Sequence, residues 1–141
     1  MRAEDQFHVG IVVHELADAR ERLTALFGYE WAPEAGGVQS VTLASGAADV
    51  ELLCQYSRST ARVELVRSVP GNPIWQPADS GVHHLGYWSD DVAGDSAALV
   101  AQGYEVEVAA GRWAYHRSAA GPRIELVSRA LQPMMEQFWS R

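Results

Sequence analysis

A chain of 141 residues, 48% hydrophobic and 21% charged, has the size and balance of one soluble globular domain. Its net charge of −7, with no run of Lys or Arg, excludes the basic face on which non-specific nucleic-acid binding depends, and no apolar run is long enough to cross a bilayer. The single cysteine, Cys54, excludes an internal disulfide framework, and MRAEDQ offers no apolar leader core, so the expectation is a protein of the reducing cytoplasm.

In chain order, Phe7, Val9, Ile11 and Val13 alternate with His8, Gly10 and Val12, which predicts a strand over 6–13. Ala19, Leu23 and Leu26 recur at helical spacing and predict a helix from about Asp18 to Phe27, stopped by Gly28. Strand-like runs follow at 38–44, 50–56 and 62–68. Pro70-Gly71-Asn72-Pro73 and the stretch Gln76 to Gly81 predict a turn-rich connector over 70–81. Beyond it come a strand at 82–88, a helix from about Val92 to Gln102 stopped by Gly103, and strands near 105–109, 112–117 and 123–128. Pro133 suits the first turn of a short C-terminal helix, about 133–139.

The order is βαβββ, twice. Laying His8 on His84 brings Gly10 onto Gly86, Leu16 onto Val92 and Leu23 onto Leu99. Gly28-Tyr29-Glu30 returns as Gly103-Tyr104-Glu105, and Val63-Glu64-Leu65-Val66 as Ile124-Glu125-Leu126-Val127. An ordered series of matches predicts a duplicated α+β domain, with module one about 6–69 and module two about 82–129.

The duplication sets a histidine early and a glutamate late in each module. Within GVHHLGYW, alternation turns His84 to the face of Val82, Gly86 and Trp88, and His83 to the opposite face, towards packing or solvent. A lone strand histidine is more often a hydrogen-bonded core or rim residue than a ligand, and a strand glutamate is usually solvated. Repetition at matched places outweighs those readings. If like faces of the two modules pack together, His8, Glu64, His84 and Glu125 converge as two imidazoles and two carboxylates, donors suited to a divalent first-row metal with a position left for substrate. Glu51 in Val50-Glu51-Leu52-Leu53 rivals Glu64, His14 reads as exposed, and His116 reads as cavity lining or hairpin surface. Trp75, Trp88, Trp113, Tyr115 and Tyr56 are candidates either for a cavity wall or for ordinary core; a wall of them would favour a bulky, partly apolar ligand such as a polyketide or a coenzyme-A thioester.

H-[VL]-G in each first strand and [VI]-E-L-V in each last resemble the vicinal oxygen chelate superfamily, which includes glyoxalase I, methylmalonyl-CoA epimerase, extradiol dioxygenases and bleomycin-resistance proteins. The resemblance spans roughly residues 6 to 129 and is nearest the glyoxalase/epimerase-like branch. It implies tandem modules forming an eight-stranded open half-barrel around a central cavity, with His8, Glu64, His84 and Glu125 as ligands of a divalent ion (Zn, Ni, Co or Mn, with Fe admitted). It also implies Glu125 as the catalytic base, with Glu34 in PEAGGV the nearest match to the second carboxylate of epimerase-like members.

The expected activity is that of an isomerase, epimerase or lyase acting on a small carbonyl or vicinal-oxygen substrate through a metal-stabilised enolate. A ring-cleaving dioxygenase is one rival, which a fourth protein ligand would crowd. A metal-free protein that sequesters an antibiotic is the other. The free edges of an open half-barrel add the expectation of a homodimer.

Overall fold

The computed structural model describes residues 1–141 as eight strands, three α-helices and two short 3₁₀ turns. Module one runs β1 (Gln6–Val13), α1 (Leu16–Phe27), β2 (Ala35–Leu43), β3 (Gly46–Tyr56) and β4 (Val63–Arg67). Module two repeats the order as β5 (His84–Ser89), α2 (Val92–Ala101), β6 (Glu105–Ala109), β7 (Trp113–Ser118) and β8 (Gly121–Ser128), and α3 (Gln132–Trp139) ends the chain. Gly28, with φ 72°, ends α1 in the left-handed conformation that L side chains resist, and its N–H closes on the Thr24 carbonyl at 2.8 Å. The Asp91 carboxylate starts α2 by accepting from the Gly94 N–H at 3.0 Å.

The strand order is β1-β4-β3-β2-β6-β7-β8-β5, a palindrome of modules. Within each module the first strand runs parallel to the last, β1 to β4 and β5 to β8, while the remaining pairs are antiparallel. The modules meet at β1 and β5, which are antiparallel, and again at β2 and β6. That second seam holds only two pairs, Thr42 with Ala109 and Leu43 with Val108, yet it closes the ring beyond the half-barrel implied by the resemblance. Pairing both edges satisfies backbone groups that would otherwise stand open. It also removes the free edges on which the expectation of a dimer rested.

One end of the barrel is filled by Val12, Val41, Val50, Val66, Val108 and Tyr115 around the fully buried Trp75, which the connector delivers as a plug. At the other end Ala32, Tyr56, Trp88 and Val127 pack beneath Trp139 of α3. Trp75 and Trp88 are therefore core. On α1 only Leu16 is buried, while Leu26, expected on its packed face, and the terminal Phe27 are mostly exposed at 65% and 70%. No helix is long and apolar enough to cross a membrane.

Candidate metal centre

The strand register delivers the four matched residues to one place. In the antiparallel seam His8 sits opposite Gly86, and Gly10 opposite His84. In the parallel pairs Gly10 lies beside Glu64 and Gly86 beside Glu125. The glycines are seats for the histidines. A Cβ on Gly10 would lie 2.0 Å from Cε1 of His84, and one on Gly86 would lie 2.0 Å from Cε1 of His8. Each H-x-G phrase thus contributes a histidine to the cluster and the space for the other module's histidine. Each glutamate faces a tyrosine on the next strand, Tyr56 opposite Glu64 and Tyr115 opposite Glu125.

Ligand atoms of all four side chains lie within 4.8 Å of one another, and all four residues are buried. The two Nε2 atoms are 3.0 Å apart. His8 Nε2 is 3.3 Å from Oε2 of Glu64 and 3.0 Å from Oε2 of Glu125; for His84 the same distances are exchanged, 3.0 and 3.3 Å. The exchange follows from the pseudo-twofold relation of the modules. Burial opposes a charge on His8, but hydrogen bonds from its ring N–H to the Glu125 and Glu64 carboxylates outweigh it and raise its pKa to about 9. His84 is raised for the same reasons. Burial pushes both carboxyls up, and the two imidazoles pull them down further.

This donor set fits a divalent ion on two counts. Glu125 Oε2 is buried without a well-aligned hydrogen-bond partner, an atom whose lone pairs a cation would satisfy. Two imidazole nitrogens and two carboxylate oxygens are a borderline-hard set suited to Zn, Ni, Co, Mn or Fe.

His83 departs from expectation. It precedes β5 instead of alternating within it, and it is buried. Its Nε2 lies 2.7 Å from the Ile74 carbonyl and its Nδ1 2.9 Å from Nδ1 of His84. Burial, which outweighs the favourable Ile74 contact, and the nearby Arg123 charge lower its pKa to about 4, so the ring is neutral. A carbonyl only accepts, so Nε2 of His83 carries its proton and Nδ1 accepts from His84 Nδ1–H. In the neutral form of His84 that chain leaves Nε2 with a lone pair aimed into the cluster, the arrangement metal-bound histidines use. At the matching position module one has Phe7, stacked on Trp88 at 3.7 Å, and His8 Nδ1 is buried without a partner. The doubled histidine was the available signal, and strand alternation misdirected it.

The other expected residues separate clearly. Glu51 is exposed and pairs with Arg67 at 3.3 Å, outside the barrel. Glu34 is exposed just before β2, 3.5 Å from Arg20, and does not border the cavity. His14 is exposed beside Ser68. His116 is fully buried and bonds Ser96 at 2.7 Å, tying β7 to α2 instead of lining a cavity or a surface.

A cavity of about 170 Å³ opens on the carboxylate side of the cluster, bordered by Glu64, Glu125, Leu52, Tyr56, Trp113 and Tyr115. Both histidine side chains are 0% exposed, against 8% for Glu64 and 10% for Glu125. Anything bound here meets the carboxylates first.

The profile of the Glyoxalase/Bleomycin resistance protein/Dioxygenase superfamily matches residues 7–124. The chain belongs to that superfamily. No curated protein matches it. Among solved structures, this superfamily member is similar to a Streptomyces coelicolor methylmalonyl-CoA epimerase variant in complex with 2-nitronate-propionyl-CoA, at 19% identity and TM-score 0.60 over 89% of this chain and 97% of that one. It is similar to a methylmalonyl-CoA epimerase from Mycobacterium tuberculosis at 19% identity and TM-score 0.56, covering 93% and 91%. A hypothetical protein from Bacillus halodurans matches at 17% identity and TM-score 0.61, covering 88% and 93%. These likenesses establish the shared fold of the superfamily member.

Proposed function

We propose that this protein is a divalent-metal-dependent isomerase, epimerase or lyase that acts on a small carbonyl or vicinal-oxygen substrate through an enolate. The observation that carries this is the convergence of His8, Glu64, His84 and Glu125 within 4.8 Å of one another, with the two carboxylates bordering a largely apolar cavity. His8 and His84 on the central seam and Glu64 and Glu125 on the flanking strands would hold the ion. When bound, it supplies Lewis-acid stabilisation, worth several kcal/mol, to the charge that develops on the substrate oxygen. The likeness in fold to methylmalonyl-CoA epimerases supports proton transfer next to a carbonyl as the chemistry.

Glu125 borders the cavity and takes the proton from the carbon next to the carbonyl. Tyr56, Trp113 and Val127 border the cavity beside that carboxylate. Glu34, paired with Arg20 outside the cavity lining, has no part in this scheme. Four protein ligands leave fewer positions for the oxygen chemistry of a dioxygenase. Exposed Leu26, Phe27 and Val38 offer apolar surface to a second copy of the chain, which sedimentation checks.

Elemental analysis of untagged protein tests the reading. Near-stoichiometric Zn, Ni, Co or Mn is expected, lost in the double variant His8→Ala/His84→Ala. Protein that stays metal-free after incubation with each ion overturns it. Glu125→Gln is expected to keep its circular dichroism and lose turnover, read as deuterium exchange next to the carbonyl; full activity in that variant overturns the role of Glu125.

A further inference from the structure

The charges around the cavity restrict what can enter it. The chain contains no lysine, so its eleven basic residues are all arginines. Six of them, including Arg20, Arg123 and Arg129, are paired with carboxylates. Arg62 lies over the Trp139 ring at 3.9 Å, and Arg141 over Phe138 at 5.5 Å. No arginine borders the cavity. Its only charged lining residues are Glu64 and Glu125, whose two negative charges cancel those of a divalent ion. The centre therefore has no positive charge to spare for a carboxylate or phosphate, and burying such an anion unpaired is costly.

The walls point the same way. Leu52, Tyr56, Trp113, Tyr115 and Val127 line the interior, with Leu131 and Met135 closing over them from the C-terminal segment. Gln39 is the one neutral amide among them. About 170 Å³ is room for an aromatic ring with a short substituent.

We propose that the site takes a neutral aromatic or alicyclic carbonyl compound, its oxygens directed at the carboxylate floor and its ring between Tyr56, Trp113 and Tyr115, in preference to an anionic thioester of a phosphorylated carrier. This rests on the metal-dependent enolisation proposed above, but its basis is the charge and shape of the walls. The bound compound loses a proton from carbon to Glu125 and regains one from solvent, so in D₂O its α-hydrogens are replaced by deuterium with no other reactant consumed.

Metal-loaded protein, titrated separately with α-hydroxyacetophenone and with methylmalonyl-CoA, separates the possibilities. Tryptophan fluorescence reads binding at low and high salt, and proton NMR reads deuterium incorporation. The aromatic ketone is expected to bind at least tenfold more tightly, with an affinity insensitive to salt. Gln39→Arg, which adds a cation to the wall, is expected to shrink that preference at least tenfold. Tighter binding of the thioester, or no binding of the ketone, overturns the substrate class whatever the exchange result. Binding of the ketone as expected without metal-dependent exchange leaves the substrate class standing and overturns the enolisation reading instead.

Discussion

Gly10→Ala isolates the reciprocal seating of the ligands. The backbone at Gly10 is ordinary extended strand, so alanine adds one methyl group and no backbone strain. That methyl would lie 2.0 Å from Cε1, 2.2 Å from Nε2 and 2.4 Å from Nδ1 of His84, whereas ordinary contact begins at 3.4 Å. The strand cannot retreat, because Gly10 is paired on both sides, with His84 in β5 and with Glu64 in β4. The ring must therefore leave its place, by more than an ångström, while ligand positions tolerate shifts of only about 0.2 Å. The expected fold cost is that of overpacking, about 1–3 kcal/mol, which a stable domain survives. The expected loss in metal affinity is about a hundredfold or more, since His84 would no longer reach the ion. Calorimetric titration with Zn or Ni, beside thermal unfolding of the metal-free protein, separates the two effects. A folded variant with wild-type metal affinity would falsify the seating argument. Gly86→Ala, which collides with His8 in the mirrored position, is expected to behave alike.

His83→Phe puts in module two the residue that module one carries at Phe7; without the acceptor for His84 Nδ1–H, metal affinity should fall about ten- to a hundredfold in titration calorimetry while secondary structure holds, and unchanged affinity would leave His83 as packing. The metal-free protein should lose stability as pH rises from 6.5 through about 9, because a histidine whose folded pKa is raised contributes fully below its unfolded value and nothing above its folded one; for His8 that contribution is on the order of 3 kcal/mol. Denaturant titrations at pH 6, 8 and 10 read this slope, and a flat profile refutes the coupling of His8 to the two carboxylates. Metal binding must displace the same protons, so apparent affinity should climb over that window, about tenfold per pH unit for each proton released.

Much of this protein was legible before any coordinate. Sequence pattern placed the strands and the first two helices, because it reports a buried face regardless of what covers it, and Pro133 marked the third helix. Element ends moved by a few residues, as β3 extends back to Gly46 and α1 to Leu16, since hydrogen bonding sets ends and side-chain pattern does not. The duplication singled out His8, Glu64, His84 and Glu125 because each module had to repeat what it contributes. It could not reveal why Gly10 and Gly86 repeat too. Their role is an absence of atoms where the other module's ring lies, and only the antiparallel register of β1 against β5 makes that visible.

His83 marks the same boundary more sharply. Alternation assumes a residue inside a strand, and His83 stands one position before the strand begins, where a carbonyl from the connector catches it. The place of Glu34 outside the cavity lining, and of Trp75 in the core and not in the wall, was open for a related reason: which side of the barrel a loop residue meets depends on chain that arrives from far away in sequence. By itself the sequence determined the elements, the duplication and the four convergent residues His8, Glu64, His84 and Glu125, all consequences of local pattern repeated. Only the tertiary structure decided the seats of the histidines, the proton chain behind His84 and the uncharged walls of the cavity, because each exists between residues that no local pattern relates.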